Sequence, residues 1–382
     1  MRIQVRLPRV EPDQYDQLKQ CPYEGCEGRQ FKAHGVKGEV KPLRDPHCKM
    51  VTAYRWRCLS CGQRFRVYPR GVSHDQQSDR LKGLSVLLYV LGLSYGAVED
   101  VLWAFNTPLG KTAVYLNVQK AGMAARQQQR QVVLGKGERA VIGSDGTYLK
   151  VKGQEVGVQV VVDDSDGELL GLEIIVSENT EAVEEVVRAV AEQVKAKVLV
   201  SDDLDVYKRV ADKLALEHQI CRSHVKRNVD ALAEELQEQV GAREPLPEGV
   251  DSSPERLVED LAFVQELVRA RPADGEDLLE QLYDRYKAAP QPQAGKRHTV
   301  WFRMRMLITR LWDRWRRLTL DQRRGGLDGT NNSSERCIGW WIKEHYRTMR
   351  GYKRSESILN VVTLTARMGV HSGNYDMGTL YA

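Results

Sequence analysis

The sequence predicts an α/β protein: a mixed sheet flanked by helices, with a small metal-stapled region before it and a long helical segment after it. Three observations carry that expectation. Between residues 140 and 214 the apolar pattern runs strand, strand, strand, helix, strand, helix. Before residue 62, four cysteines fall into two pairs. From 225 to 327 the chain is almost wholly helical and charged, with Pro/Gly-rich breaks near 244–254 and 290–295. The expected boundaries are therefore 1–74, 75–135, 136–224, 225–329 and 330–382.

Composition narrows the class. With 382 residues, 42% hydrophobic and 7% aromatic, the chain can bury a sizeable core and is not a disordered sequence. The net charge of +5 and pI near 8.7 suit a nucleic-acid partner without demanding one. The N-terminus, MRIQVRLPRVEPDQYDQ, alternates charge with apolar residues and does not read as a secretory signal. The most apolar run, Leu84 to Leu93, is too short for a bilayer that needs about twenty residues. A cytoplasmic protein with no membrane partner is expected, and its clustered cysteines point to metal rather than disulfides.

Residues 1–74 read as a zinc module. Cys21-Pro-Tyr-Glu-Gly-Cys26 and Cys58-Leu-Ser-Cys61-Gly place soft ligands on two tight turns, as tetrahedral Zn2+ prefers. Cys48 and His47 are possible substitutes. Tyr54-Arg55-Trp56-Arg57 and Gln63-Arg64-Phe65-Arg66 interleave cations with aromatics, which makes Arg57 and Arg64 candidate DNA contacts. A solvated basic hairpin would look the same. Residues 75–135 follow with a helix carrying Val98, Val101, Leu102 and Phe105, the turn Asn106 to Gly110, and a second helix from Lys111. That is helix-turn-helix spacing, with Lys111, Thr112, Tyr115 and Asn117 as candidate groove readers; a plain helical connector is the alternative. Ala124 to Gln131, rich in Gln and Arg, reads as an exposed helix or linker.

In 136–224 the strands are expected at Ala140 to Val151, Val156 to Val162, Leu169 to Val176 and Lys197 to Val200, and the helices at Thr180 to Val194 and Val206 to Leu214. Asp145 lies in the first of these strands. Asp-Gly is also a hairpin signal, but Asp163 to Gly167 supplies a better turn. Asp202 ends the strand Val198-Leu199-Val200, where ligands bind in open α/β sheets. Asp203 and Asp205 compete with it, and either suits a helix cap. Glu335, three residues after Asn332, fits a capping box taken alone. Two strand-end aspartates and a helix glutamate together are what two Mg2+ or Mn2+ ions require.

The stretches SDGTYLKVKG, VLVSDD, CRSH and TNNSSERCIGWWIKEHYRTMRGY resemble DDE transposases of insertion sequences and Mutator-like elements over about residues 140–365. The resemblance implies an RNase H-like core in which Asp145, Asp202 and Glu335 are catalytic metal ligands. It makes 225–329 an all-helical insertion before the glutamate helix, and the zinc-ribbon and helix-turn-helix arrangement ahead of the core is similar too. Cys221 and His224 match the family's C-x2-H signature; too close in sequence for more than half a zinc site, they are expected to be structural or DNA-contacting. The doubled Asp202-Asp203 departs from the pattern and leaves the second ligand open.

Basic tracts surround these acids. Residues 301–317 carry Arg303, Arg305, Arg310, Arg314, Arg316 and Arg317 among Trp301, Trp312 and Trp315. After Glu335 come Arg336, Lys343, Arg347 and Arg350, placed to neutralise phosphates of a strand being cut. The function implied is cleavage at transposon ends and strand transfer into target DNA. The rivals are a transposase-derived DNA-binding regulator without catalysis and a simple RNase H-like nuclease. Joining two ends implies at least a dimer, by analogy.

Overall fold

The computed structural model describes residues 3–35, 38–73, 76–135, 137–138, 140–176, 179–240, 245–294, 296–348, 351–370 and 375–381. The N-terminal module is a small antiparallel sheet of β1 (Phe31–Ala33), β2 (Glu39–Pro42), β3 (Met50–Cys58) and β4 (Arg64–Val67). The long β3 pairs with each of the others. Its apolar core is small (Leu43, Val51 and Val72), so little burial is available to hold it.

Helices α1 (Asp79–Val90), α2 (Tyr95–Ala104) and α3 (Lys111–Gly135) follow. Ser78 and Ser94 cap the first two, accepting the N–H groups of Leu81 and Ala97. The Gln/Arg-rich stretch expected to be an exposed helix or linker belongs to α3. There Gln129 is buried and donates to the Leu169 carbonyl, and Gln128 donates to that of Thr379 at 2.7 Å. A buried partner carbonyl explains why polar residues occupy a packed face. Phe105, the last of the apolar positions expected on this helix, is 72% exposed, because α2 ends at Ala104 and Phe105 is its C-cap.

The main sheet begins with β5 (Val141–Val151) and β6 (Gln154–Asp163). They form a hairpin through Lys152 and Gly153, both at positive φ (50° and 84°), as a two-residue turn of matching twist requires. Asp145-Gly146 is therefore not a turn: Asp145 pairs with Val160 inside the ladder. The strand β7 (Leu169–Ile175) runs antiparallel to β6 after the Asp163–Gly167 turn. Helix α4 (Thr180–Val194) buries Val183, Val186, Val187, Val190 and Val194 at helical spacing and returns the chain to β8 (Val198–Ser201), parallel to β5. Helix α5 (Asp205–Lys213) then leads to β9 (Glu217–Ile220), parallel to β8. The order is β9-β8-β5-β6-β7, with β6 antiparallel to both of its neighbours.

The sequence gives no hint of β9, since Glu-His-Gln-Ile has no strand pattern. Its polar side chains are satisfied inside the protein instead: His218 Nε2 lies 2.8 Å from Ser201 Oγ, and Gln219 Oε1 accepts the Asp321 N–H at 2.7 Å. Helices α6 (Arg222–Val240), α7 (Pro254–Ala270), α8 (Gly275–Tyr286) and α9 (Val300–Leu318) have a core of their own, around Leu236, Leu261, Tyr286, Trp301 and Ile308. The chain then returns to the main sheet as α10 (Asn332–Cys337), a π-helical turn (Ile338–Lys343) and α11 (Ser355–Val370), which packs along α3. Among the described residues, no helix is long and apolar enough to cross a membrane.

Candidate active site

Asp145 lies on β5, and Asp202 directly follows β8, the parallel neighbour of β5. Gly143 is in register with Val200, and the two acids lie two residues beyond that pair. The Gly146 N–H fixes Asp145 Oδ1 at 2.8 Å, and the Leu204 N–H reaches Asp202 Oδ1 at 3.2 Å. Burial, reinforced by the Asp202 carboxylate, raises Asp145 to about 7; the Gly146 N–H opposes this, and Glu335 adds to it. Asp145 thus feels the charges of both other sequence-predicted acids, although 190 residues separate it from Glu335.

Backbone approach and short polar contacts bring Glu335 to the sheet. Asn331 is fully buried and its amide faces the Ser144 carbonyl at 3.4 Å, while Ser333 Oγ donates to the Asp164 carbonyl at 2.9 Å. Gly143 leaves room for Ser334: a Cβ there would sit 2.6 Å from Ser334 Oγ. Helix α10 consequently lies on β5 at the level of Asp145. The capping box does not form, because Asn331 rather than Asn332 is the N-cap residue and no side chain caps the helix. Glu335 instead points its Oε1 to within 3.3 Å of His224 Nδ1, with Arg227 4.0 Å away. Cys221, just after β9, and His224, in the first turn of α6, therefore stand beside the third acid, a proximity their spacing did not reveal.

Asp203 and Asp205 are engaged elsewhere. The buried Asp203 is held by Arg310 and Arg314, each at 2.6 Å, and Asp205 pairs with Arg314. Sequence reasoning left the choice between Asp202 and Asp203 open because the partners lie on α9, more than a hundred residues away. The same helix shows that much of the basic tract at 301–317 is engaged within the protein. Arg303 binds Glu235, Arg316 binds Glu276 and Arg317 binds Asp212, while Trp301 and Trp315 are buried.

Cys21, Cys26, Cys58 and Cys61 converge so that all four sulfurs lie within 4.8 Å of one another. The Cys21–Cys61 and Cys26–Cys58 separations of 3.7 and 3.8 Å match the edge of about 3.8 Å that a tetrahedron of Zn–S bonds near 2.3 Å would have. Backbone N–H groups of Cys61 and Ser60 bring the Cys58 thiol down to about 6 against its burial. Cys48 bonds the Met50 carbonyl, and His47 has no part in the cluster.

The candidate DNA contacts divide. Arg57 and Arg64 are exposed on β3 and β4, whereas neighbouring Arg55 and Arg66 are tied to Glu39 at 3.1 and 3.4 Å. Lys111 and Thr112 are exposed at the start of α3; Tyr115 is half-buried, edge-on to Tyr95. Asn117 cannot read a groove, because it is buried and bonded to Gln77 and Ser85. Arg336, Lys343 and Arg347 are exposed after Glu335, and Arg350 lies outside the described residues. A cleft of about 970 Å3 beside α10 is lined by Asp164, Asp328, Ser333, Arg336 and Trp340. Sequence reasoning had not singled out Asp164, which burial raises to about 6, or Trp340, half of whose surface is exposed.

Comparison with known proteins gives one family. No curated protein matches the chain. Two structures of the HTLV-2 integrase catalytic core domain in complex with magnesium, in trimeric and dimeric forms, are 14% and 15% identical. They cover 35% and 34% of this chain and 86% of theirs, each with a TM-score of 0.20. The Transposase IS66 family matches residues 126–342, more than half of the chain and a stretch that holds all three acids. On that match, the chain belongs to the IS66 family of transposases.

Proposed function

We propose that this chain is a DDE transposase that cuts DNA at the ends of its element and joins it to target DNA. Asp145, Asp202 and Glu335 would hold two Mg2+ or Mn2+ ions. The observation that supports the reading is the charge environment of Asp145 on β5, which burial, Asp202 and Glu335 together drive up to about 7. Acids crowded in this way are costly without cations to share. The strand order β9-β8-β5-β6-β7, with β6 running against its neighbours, supports an RNase H-like core.

Ions held by Asp145, Asp202 and Glu335 would supply Lewis-acid activation of a water or 3′-hydroxyl and charge stabilisation for the leaving oxygen. The protein's own contribution is placement. The Gly146 and Leu204 N–H groups orient one oxygen of Asp145 and one of Asp202, and Asp145 gives up its proton as it takes on a ligand role. Arg310 and Arg314 withdraw Asp203, so Asp202 is the second ligand in this reading. Arg336, Lys343 and Arg347 would meet the phosphates of the strand being cut. Kinship with Mutator-like elements in particular rests on the sequence resemblance, the Cys221-x2-His224 motif included.

The N-terminal cysteines would hold one Zn2+ in a zinc-ribbon-like module that brings Arg57 and Arg64 to DNA, with Lys111, Thr112 and Tyr115 reading from α3. Joining two element ends calls for at least two protomers. The test is metal-dependent nicking of the element's end sequence. Asp145→Asn, Asp202→Asn and Glu335→Gln should each bind that DNA as the parent does and fail to cut it. Substantial cutting by any of them, or cutting without divalent metal, contradicts the proposal.

A further inference from the structure

We infer a second metal site for a soft divalent cation such as Zn2+, formed by the Cys221 sulfur, a His224 ring nitrogen and the Glu335 carboxylate. One ligand atom from each lies within 4.8 Å of the others, close enough for a single ion to reach all of them. Each comes from a different place: just after β9, the first turn of α6 and α10. The Arg222 N–H bonds the Gly329 carbonyl at 2.9 Å, which joins the entry to α6 to the segment leading into α10.

Three features favour a metal over plain packing. His224 Nδ1 is buried and makes no geometric hydrogen bond among the described residues, while its ring is in contact with the Cys221 thiol and Nδ1 lies 3.3 Å from Glu335 Oε1. A buried nitrogen is seldom left that way unless something else takes its lone pair or proton. The Cys221 sulfur is fully buried and receives the backbone N–H groups of Asn331 and His224, the outer-shell support that a metal thiolate uses. The side chains of His224 and Glu335 are 27% and 38% exposed, so a water has access to the fourth position. One sulfur, one imidazole and one carboxylate suit Zn2+ and do not suit Mg2+, which prefers oxygen throughout.

The ligand set stands without the DDE reading, but its consequence rests on that reading. Glu335 would serve both sites, so a soft cation on Cys221 and His224 draws it from the hard ions and inhibits cleavage.

The test separates the two ideas by reading binding rather than turnover. The full chain, with its N-terminal cysteines saturated by one equivalent of Zn2+, is titrated with Co2+. One further equivalent should bind, with a thiolate-to-cobalt charge-transfer band. Cys221→Ser should lose the band and His224→Ala should weaken uptake, by at least the roughly 10–100-fold that losing even an outer-shell partner costs. Asp145→Asn should keep both band and affinity while losing cleavage. The inference is overturned if the parent takes up no further equivalent, or if a folded His224→Ala or Cys221→Ser binds it unchanged. Should Cys221→Ser fail to fold, His224→Ala decides, because its ring is at the surface edge of the cluster.

Discussion

Gly143→Ala is the substitution that most directly questions how the site is assembled. The added methyl would project from β5 into the seat of α10. It would stand 2.6 Å from Ser334 Oγ, 3.2 Å from Val162 Cγ2 and 3.5 Å from Asp164 Oδ1. Ordinary contact begins near 3.4 Å, so Ser334 has to retreat by about 0.8 Å. Ser334 is fully buried, and Glu335 is the next residue on the same helical turn. Overpacking of this size costs about 1–3 kcal/mol, and a shift near 1 Å in a reacting constellation costs on the order of 100-fold in rate.

Urea unfolding and Mg2+-dependent strand cleavage measure the two effects separately. Gly143→Ala should lose cleavage by about 10–100-fold while remaining folded at 25 °C. Adding Ser334→Ala removes the nearest atom and leaves Val162 Cγ2 at 3.2 Å as the tightest contact, so the double variant should recover most of the loss. If Gly143→Ala cuts DNA like the parent, Ser334 has rotated away and α10 does not depend on this approach. If the double variant is as impaired as the single, the defect lies in β5 and not in the placement of Glu335.

Other expectations follow from charge and metal. Asp145 binds its proton more tightly in the folded chain, to about 7, than an unfolded aspartate near 3.9, so its contribution to stability is lost as pH rises from about 4 to 7. At about 1.4 kcal/mol per pH unit, metal-free Asp145→Asn should be more stable than the parent by roughly 4 kcal/mol at pH 8 and no more stable near pH 4, as read by equilibrium unfolding. Arg310→Ala combined with Arg314→Ala strands the buried Asp203 and should cost about 3–5 kcal/mol by the same measurement, whereas exposed Arg316→Ala should change stability by less than about 0.5 kcal/mol. Cys58→Ser should remove one equivalent of bound zinc by elemental analysis and broaden the amide resonances of β3 and β4, a region whose small apolar core cannot hold it alone.

What could be read from the sequence was whatever local chemistry decides. The β-branched runs of β5, β6 and β8 and the valine stripe of α4 announce themselves because their spacing alone buries one face. Asp145, Asp202 and Glu335 were visible as candidates for a related reason: acids in or beside apolar segments need a partner. The strand β9 was not visible, since His218 and Gln219 are tolerated only because Ser201 and Asp321 meet them. Nor could the sequence separate Asp202 from Asp203, or show that Arg310 and Arg314 face inward, because both facts depend on how α9 docks against the end of β8. Position 332 carries a good capping residue and sequence logic fixed on it, but the burial of Asn331 against Ser144 moves the helix start by one residue.

That docking makes the helical segment part of the site rather than an ornament beside it. Arg314 is itself nearly buried and spans Asp203 and Asp205, so it pins the turn that directly follows Asp202. Without Arg310 and Arg314, Asp203 would be a buried carboxylate lacking its cations beside Asp145 and Asp202, whose charges already oppose each other, and burial would force a proton onto one of the three. The arginine clamp therefore divides adjacent aspartates into one that is neutralised by protein and one left to face Asp145. On this argument α9 bears on the site through charge pairing at β8, and a shortened chain lacking α6 to α9 would lose more than contact area for DNA: it would lose the distinction between Asp202 and Asp203.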